Sequence, residues 1–240
     1  MKKAFTILEL VFVIIVIGIL AVFITPRLGS DSLHEAAVQV MSHIRYTQHL
    51  AMSDDKYDSS DDEWFKERWT IRFYPNLDFT PTLPPDRNYT NIWAYTIFSD
   101  KSHDKNPNKS EMARNPLNTN QYLSGGYNNV LHVEDSQSMS SMRLESKYGI
   151  KDVAFGGGCR SNIRYIYFDH LGRPFNSANN NTPYEKPSAG YHKLLTSACT
   201  ISLCTATCTG TSSSTEIIIK IQPETGYSCV LDSSGECLSN

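Results

Sequence analysis

Residues 5–26 read FTILELVFVIIVIGILAVFITP, and the reading of this stretch decides the fold. From Phe5 to Ile24 nearly every residue is apolar, yet Glu9 stands close to the start. A helix of about 20 residues is about 30 Å long, the thickness of a bilayer's hydrocarbon core. Lys2 and Lys3 precede the run and only Arg27 follows it closely. The positive-inside rule would keep the first residues cytoplasmic and export the rest. The run is too long for the apolar part of a secretory signal, and no A-x-A-like cleavage site follows it. A plain anchor would fit the length but would leave Glu9 unexplained. A carboxylate at the centre of a spanning helix costs about 2.5–3.5 kcal/mol, less near the helix end, and it asks for a partner.

The rest of the composition is that of a globular protein. The chain has 240 residues, a formal net charge of −3 and 20% charged residues. That is enough for one domain with a core plus an appendage, and it carries no overall basic footprint for nucleic acid. The six cysteines, Cys159, Cys199, Cys204, Cys208, Cys229 and Cys237, all fall in the second half. After export they are candidates for disulfides rather than metal ligands, with 15 pairings open.

The order basic leader, Ala4, Phe5, Glu9, apolar run, Pro26 resembles the N-terminal segment of type IV pilins and type II secretion pseudopilins. The resemblance implies cleavage by a prepilin peptidase between Ala4 and Phe5 and N-methylation of the new terminus at Phe5. It implies that Glu9 pairs with the α-amino group of a neighbouring subunit, so that two buried charges neutralise each other on assembly. Pro26 matches the place where many pilin helices loosen, because proline removes an intrahelical bond and crowds the preceding turn. The family usually has glycine before the cut, and Ala4 departs from that. Loss of Lys2 and Lys3 with the leader would take the formal charge from −3 to −5.

After Pro26, Leu33, Ala36, Ala37, Val40, Ile44, Thr47 and Ala51 recur at three- and four-residue spacings, which predicts one apolar helix face. The expectation is one long helix from Phe5 to about Ser53. His34, His43 and His49 read as its solvated surface. The acidic stretch SDDKYDSSDDE (53–63) lacks the spacing and central glycine of an EF-hand. Some pseudopilin heads bind calcium, but here the stretch reads as a solvated loop that ends the helix.

Strands are expected in WTIRFY (69–74), IWAYTIF (92–98), VLHV (130–133), VAF (153–155) and IRYIYF (163–168). The prolines between the first two mark a loop. Residues 99–129 carry no expected regular element, and glycines 156–158 read as a turn without a phosphate-binding motif. IRYIYFDHLGRPF and EIIIKIQPETGYSCVL each read as strand, turn, strand. Both resemble the closing hairpins of the minor pseudopilin H and FimT group. DNA-binding members of that group have basic residues after the final glycine turn, where this chain has TGYSCVLD. Nucleic acid is therefore an unsupported partner, although Arg160, Arg164 and Arg173 are candidates for a local basic patch. SACTISLCTATCTGTSSST reads as loop or edge strand, pinned by disulfides with Cys229 and Cys237 as expected partners. DRNYT holds a sequon with an upstream acid, making Asn88 a candidate glycosylation site.

The fold class expected is thus α+β and pilin-like: a long N-terminal α-helix, half of it transmembrane, packed on an antiparallel β-sheet head. Residues 1–4 would be the leader, 5–29 the transmembrane or filament-core helix, 30–53 its amphipathic second half, and 54–240 a disulfide-bonded β-rich head. No G-x-S-x-G, H-E-x-x-H or Walker motif appears, so no enzyme, cofactor or metal site is expected. The implied partners are prepilin peptidase, other pilins or pseudopilins, an inner-membrane assembly platform and the membrane itself. The implied place is the inner membrane, single-pass, with the head outside. Protein secretion, DNA uptake and adhesion or motility compete as uses. The alternative is an uncleaved, membrane-anchored extracytoplasmic binding protein.

Overall fold

Two helices, not one, open the chain. The computed structural model describes residues 7–24, 27–75, 92–104, 106–128, 130–176 and 194–238. Helix α1 is Ile7–Ile24 and α2 is Arg27–Ser53. The expected continuous helix from Phe5 to Ser53 is corrected to these two helices; Thr25 and Pro26 lie outside the described residues, and a proline in general has no N–H to give a helical ladder. No helix among the described residues is long and apolar enough to cross a membrane. The expected single-pass inner-membrane placement is corrected accordingly. Ala4, Phe5 and Asn88 also lie outside the described residues.

The remainder is mostly sheet. The strands are β1 (Trp69–Tyr74), β2 (Ala94–Ser99), β3 (Arg114–Asn115), β4 (Asn118–Tyr122), β5 (Asp152–Gly157), β6 (Tyr165–Phe168), β7 (Pro174–Phe175), β8 (Cys199–Cys204), β9 (Glu216–Ile221) and β10 (Ser228–Val230), with a short helix α3 (Leu144–Tyr148) before β5. They form three antiparallel sheets, ordered β2-β1-β6-β7, β10-β9-β8-β5 and β3-β4. The head expected as an antiparallel β-sheet is antiparallel throughout, but divided into two four-stranded sheets and a hairpin. VLHV makes no strand, only an isolated bridge of Leu131 to Tyr127. The segment around Cys199 and Cys204, expected as loop or edge strand, is instead β8, an interior strand between β5 and β9. Its partners explain this: Ile201 and Leu203 stand beside Ile219 and Ile217 of β9 and bury completely, so packing outweighs the polar Ser/Thr composition.

Helix α2 joins the two large sheets. All seven positions of its apolar face, Leu33 through Ala51, are buried. The apolar six of these share one core with Ile71 and Phe73 of β1, Ile166 and Phe168 of β6, Ile219 and Ile221 of β9, and Val230 of β10. Ala36 and Ala37 keep the side chains short where the helix crosses the sheets. The polar residues beside this face reach the hairpin turns. Gln48 Nε2 donates to the carbonyl of Gly172 at 2.8 Å and to that of Thr225 at 2.7 Å. These carbonyls belong to the β6–β7 and β9–β10 turns, one from each sheet. Arg45 donates to the Ser228 carbonyl at 2.6 Å and lies over the Tyr227 ring. Gly226 has φ +64°, and a Cβ there would stand 2.5 Å from Gln48 Nε2 and 2.6 Å from the Gly172 carbonyl oxygen. Glycine is required at this point by both conformation and space.

Three disulfides stabilise the second half: Cys159–Cys199, Cys204–Cys208 and Cys229–Cys237. The expected link from the 199–208 segment to Cys229 and Cys237 is corrected, since those two close the C-terminal turn on each other. The first bridge spans 40 residues and by loop entropy contributes about 4 kcal/mol.

If α2 is the element on which both sheets close, Ile44→Ala should cost about 2–5 kcal/mol and Gln48→Ala about 1–2 kcal/mol. Val38→Ala, on the exposed face, should stay within about 0.5 kcal/mol. Urea unfolding of the three variants checks this ranking.

Candidate functional site

A helix that is apolar all round belongs in an interior, and α1 has none of its own. Among its described side chains, Ile7 is 84% exposed, Leu8 79% and Phe12 70%. Leu10, Val11, Val13, Ile14, Ile15, Val16 and Ile17 are exposed as well. Glu9 lies in the first turn, where a carboxylate opposes the positive end of the helix dipole. Leu8, Glu9, Phe12, Val13, Val16 and Ile17 line one shallow groove along a single face. Their three- and four-residue spacings (9 to 12, 8 to 12, 12 to 16) are those of neighbours on a helix surface. The contrast with α2 is chemical. Leu33 to Ala51 form one apolar stripe with a polar back, whereas Ile7 to Ile17 leave no polar back beyond Glu9. A continuous exposed apolar surface of this kind marks a contact surface.

A second concavity lies at the C-terminal end of α2. It has a volume of about 600 Å³ and is walled by Tyr57, Trp64, Phe65, Trp69 and Phe168, with charged groups from Asp54, Lys56, Glu67 and Arg68 at its edge. Asp54 accepts from Trp69 Nε1 at 2.8 Å and pairs with Lys56. Sequence reading treated this segment as a solvated loop. The run of aromatic residues Trp64, Phe65 and Trp69 just beyond the acids was the available signal.

The other predicted residues are distributed by the fold. Arg173 is committed to Asp169 within its own turn, and Arg164 lies over the Trp93 ring at 5.3 Å. The expected basic patch of Arg160, Arg164 and Arg173 thus loses two members to local contacts. Cys204, Cys208 and Glu216 come together with metal-like spacing, but both sulfurs are in the disulfide. The Glu216 carboxylate holds the following loop through Thr209 and Gly210.

His34 and His49 are exposed as expected, but His43 is half-buried. Its Nδ1 lies 2.8 Å from Tyr95 Oη, and Gln39 Nε2 stands 3.3 Å from its Nε2. Since an amide nitrogen only donates, Nε2 accepts and Nδ1–H faces the tyrosine. Burial lowers the His43 pKa to about 4, below the value of about 6.5 for an unfolded histidine.

No family model, no curated protein and no solved structure matches this chain.

The histidine gives a pH prediction. The native state holds His43 neutral and the unfolded chain binds the proton, so its contribution is full above about pH 6.5 and is lost as pH falls toward 4. The slope is about 1.4 kcal/mol per pH unit, about 3 kcal/mol over the window. Urea unfolding of the wild type and of His43→Gln from pH 7 to 4 checks it: the stability difference should narrow as pH falls.

Proposed function

We propose that the chain is a minor pilin- or pseudopilin-like subunit, processed by a prepilin peptidase and built into a filament through α1. The observation that carries the reading is the all-round exposed apolar surface of α1 with an acid in its first turn. About ten large apolar side chains have no cover within the chain, and copies of the same helix offer the matching surface. Glu9 then sets the register. Packing of apolar helices against one another is non-directional, whereas a carboxylate desolvated in the stack is stabilised only where a neighbour's charged amine meets it. The N-terminal order of Ala4, Phe5, Glu9 and Pro26 supports the family, and the two C-terminal hairpins held on α2 support the pseudopilin H and FimT group.

In this reading the subunit's activity is assembly, and it is not an enzyme. The partners are the prepilin peptidase, other pilins or pseudopilins and their assembly platform. The head, braced by disulfides, presents its surface outside the stack. Secretion, DNA uptake and adhesion remain the competing uses. Loss of a secreted protein on deletion favours the first, and DNA binding that weakens steeply with salt favours the second.

The N-terminal mass of the chain from its native cells tests processing. It should begin at N-methylated Phe5, and a chain retaining residues 1–4 overturns the proposal. Glu9→Gln should be processed normally yet enter filaments at least tenfold less often, as read by its share of sheared filament protein. Equal incorporation contradicts the role given to the carboxylate.

A further inference from the structure

The register of β1 and β2 brings together two loops that lie far apart in sequence. Trp69 pairs with Ser99, so the segment entering β1 and the segment leaving β2 emerge at the same end of the sheet. Ser99 Oγ donates to the Glu67 carbonyl at 3.2 Å and fastens them. On the β1 side the chain turns at Asp61, whose Oδ1 accepts the Glu63 N–H, and passes through one turn of 3-10 helix at Trp64–Lys66 to Glu67. On the β2 side the loop is wrapped around the buried Glu111 carboxylate, which accepts the N–H groups of Ser102 and Asn108. This holds His103 in the left-handed region, at φ +59°.

One ligand atom each from Asp61, Glu67 and His103 lie within 4.8 Å of one another. All three residues are half-buried. His103 Nδ1 stands 3.3 Å from Glu63 Oε2. A carboxylate accepts the ring N–H at that nitrogen, which leaves the lone pair on Nε2. Nε2 is sealed from solvent and has no hydrogen-bond partner. A carboxylate on one ring nitrogen and a lone pair on the other is how metal-ligating histidines are oriented. Tetrahedral bonds of about 2.0–2.2 Å put ligand atoms about 3.4 Å apart, so from separations within 4.8 Å a closure of at most about 1.4 Å completes the geometry.

We propose that Asp61, Glu67 and His103 bind a divalent transition-metal ion of the zinc type, with Glu63 as the positioning residue for the imidazole. The mixed nitrogen and oxygen set points to such an ion, since calcium and magnesium take oxygen ligands. The cysteines of the described residues are all in disulfides and offer no competing thiolates. The ion ties the β1 and β2 loops at the rim of the aromatic pocket, where Glu67 is a wall residue of both.

Calorimetric titration of the full chain, stripped with chelator, tests the site with zinc chloride and with calcium chloride. One zinc per chain is expected at micromolar or tighter affinity, with a thermal midpoint that rises with zinc concentration. His103→Asn, which tolerates the left-handed backbone, should bind zinc at least 100-fold more weakly. Glu63→Gln should lose about 10–100-fold, with an unchanged midpoint in chelator. No zinc binding, equal zinc affinity in His103→Asn, or equally tight calcium binding overturns the proposal.

Discussion

The Gln48 side-chain amide is where the two halves of this protein meet. It donates to one carbonyl from the β6–β7 turn and one from the β9–β10 turn, and those turns belong to different sheets. Each bond contributes about 1 kcal/mol on its own, but the pair fixes how both sheets sit on α2. The glycines at 172 and 226 are the other half of the device. A Cβ at either would enter the space that the Gln48 side chain occupies. The apolar face from Leu33 to Ala51 supplies the energy of the docking, and the polar edge at Arg45 and Gln48 supplies its position.

This division explains why the first two helices behave differently despite being neighbours in sequence. Helix α2 has one apolar face and spends it within the chain, on β1, β6, β8, β9 and β10. Helix α1 is apolar on every described side and meets nothing of comparable area. A head that satisfies its own core and a helix whose described side chains stay exposed are the two parts that the proposed assembling subunit needs. Disulfides within the head add rigidity without reaching either helix.

What could be read in the sequence was what depends on neighbours along the chain. The α2 face follows from spacing, and every residue assigned to it is buried. WTIRFY is β1 to the residue, and the Pro223–Gly226 turn joins β9 to β10. What could not be read depends on contacts across the fold. A Ser/Thr-rich segment became the interior strand β8 because Ile217 and Ile219 stood ready beside it. Cys229 found Cys237 because the C-terminal turn brings Leu231 against Cys237. His43 reads as a surface residue in sequence because nothing local announces Tyr95, 52 residues away. His103 gained its carboxylate neighbours only through the β1–β2 register. The apolar run and the amphipathic run are both helical, as their spacing implies, but they form the separate helices Ile7–Ile24 and Arg27–Ser53.

Native-state hydrogen exchange on the full chain, dispersed and assembled, tests this account most directly. The account predicts that the α2 amides open together with those of β1, β6, β8 and β9, at one free energy, in both states. The α1 amides should be weakly protected in dispersed chains and strongly protected on assembly. If α2 exchanges ahead of the sheets, or if α1 is as protected in the dispersed chain as in the assembly, the division between a self-sufficient head and a helix covered by other copies is wrong.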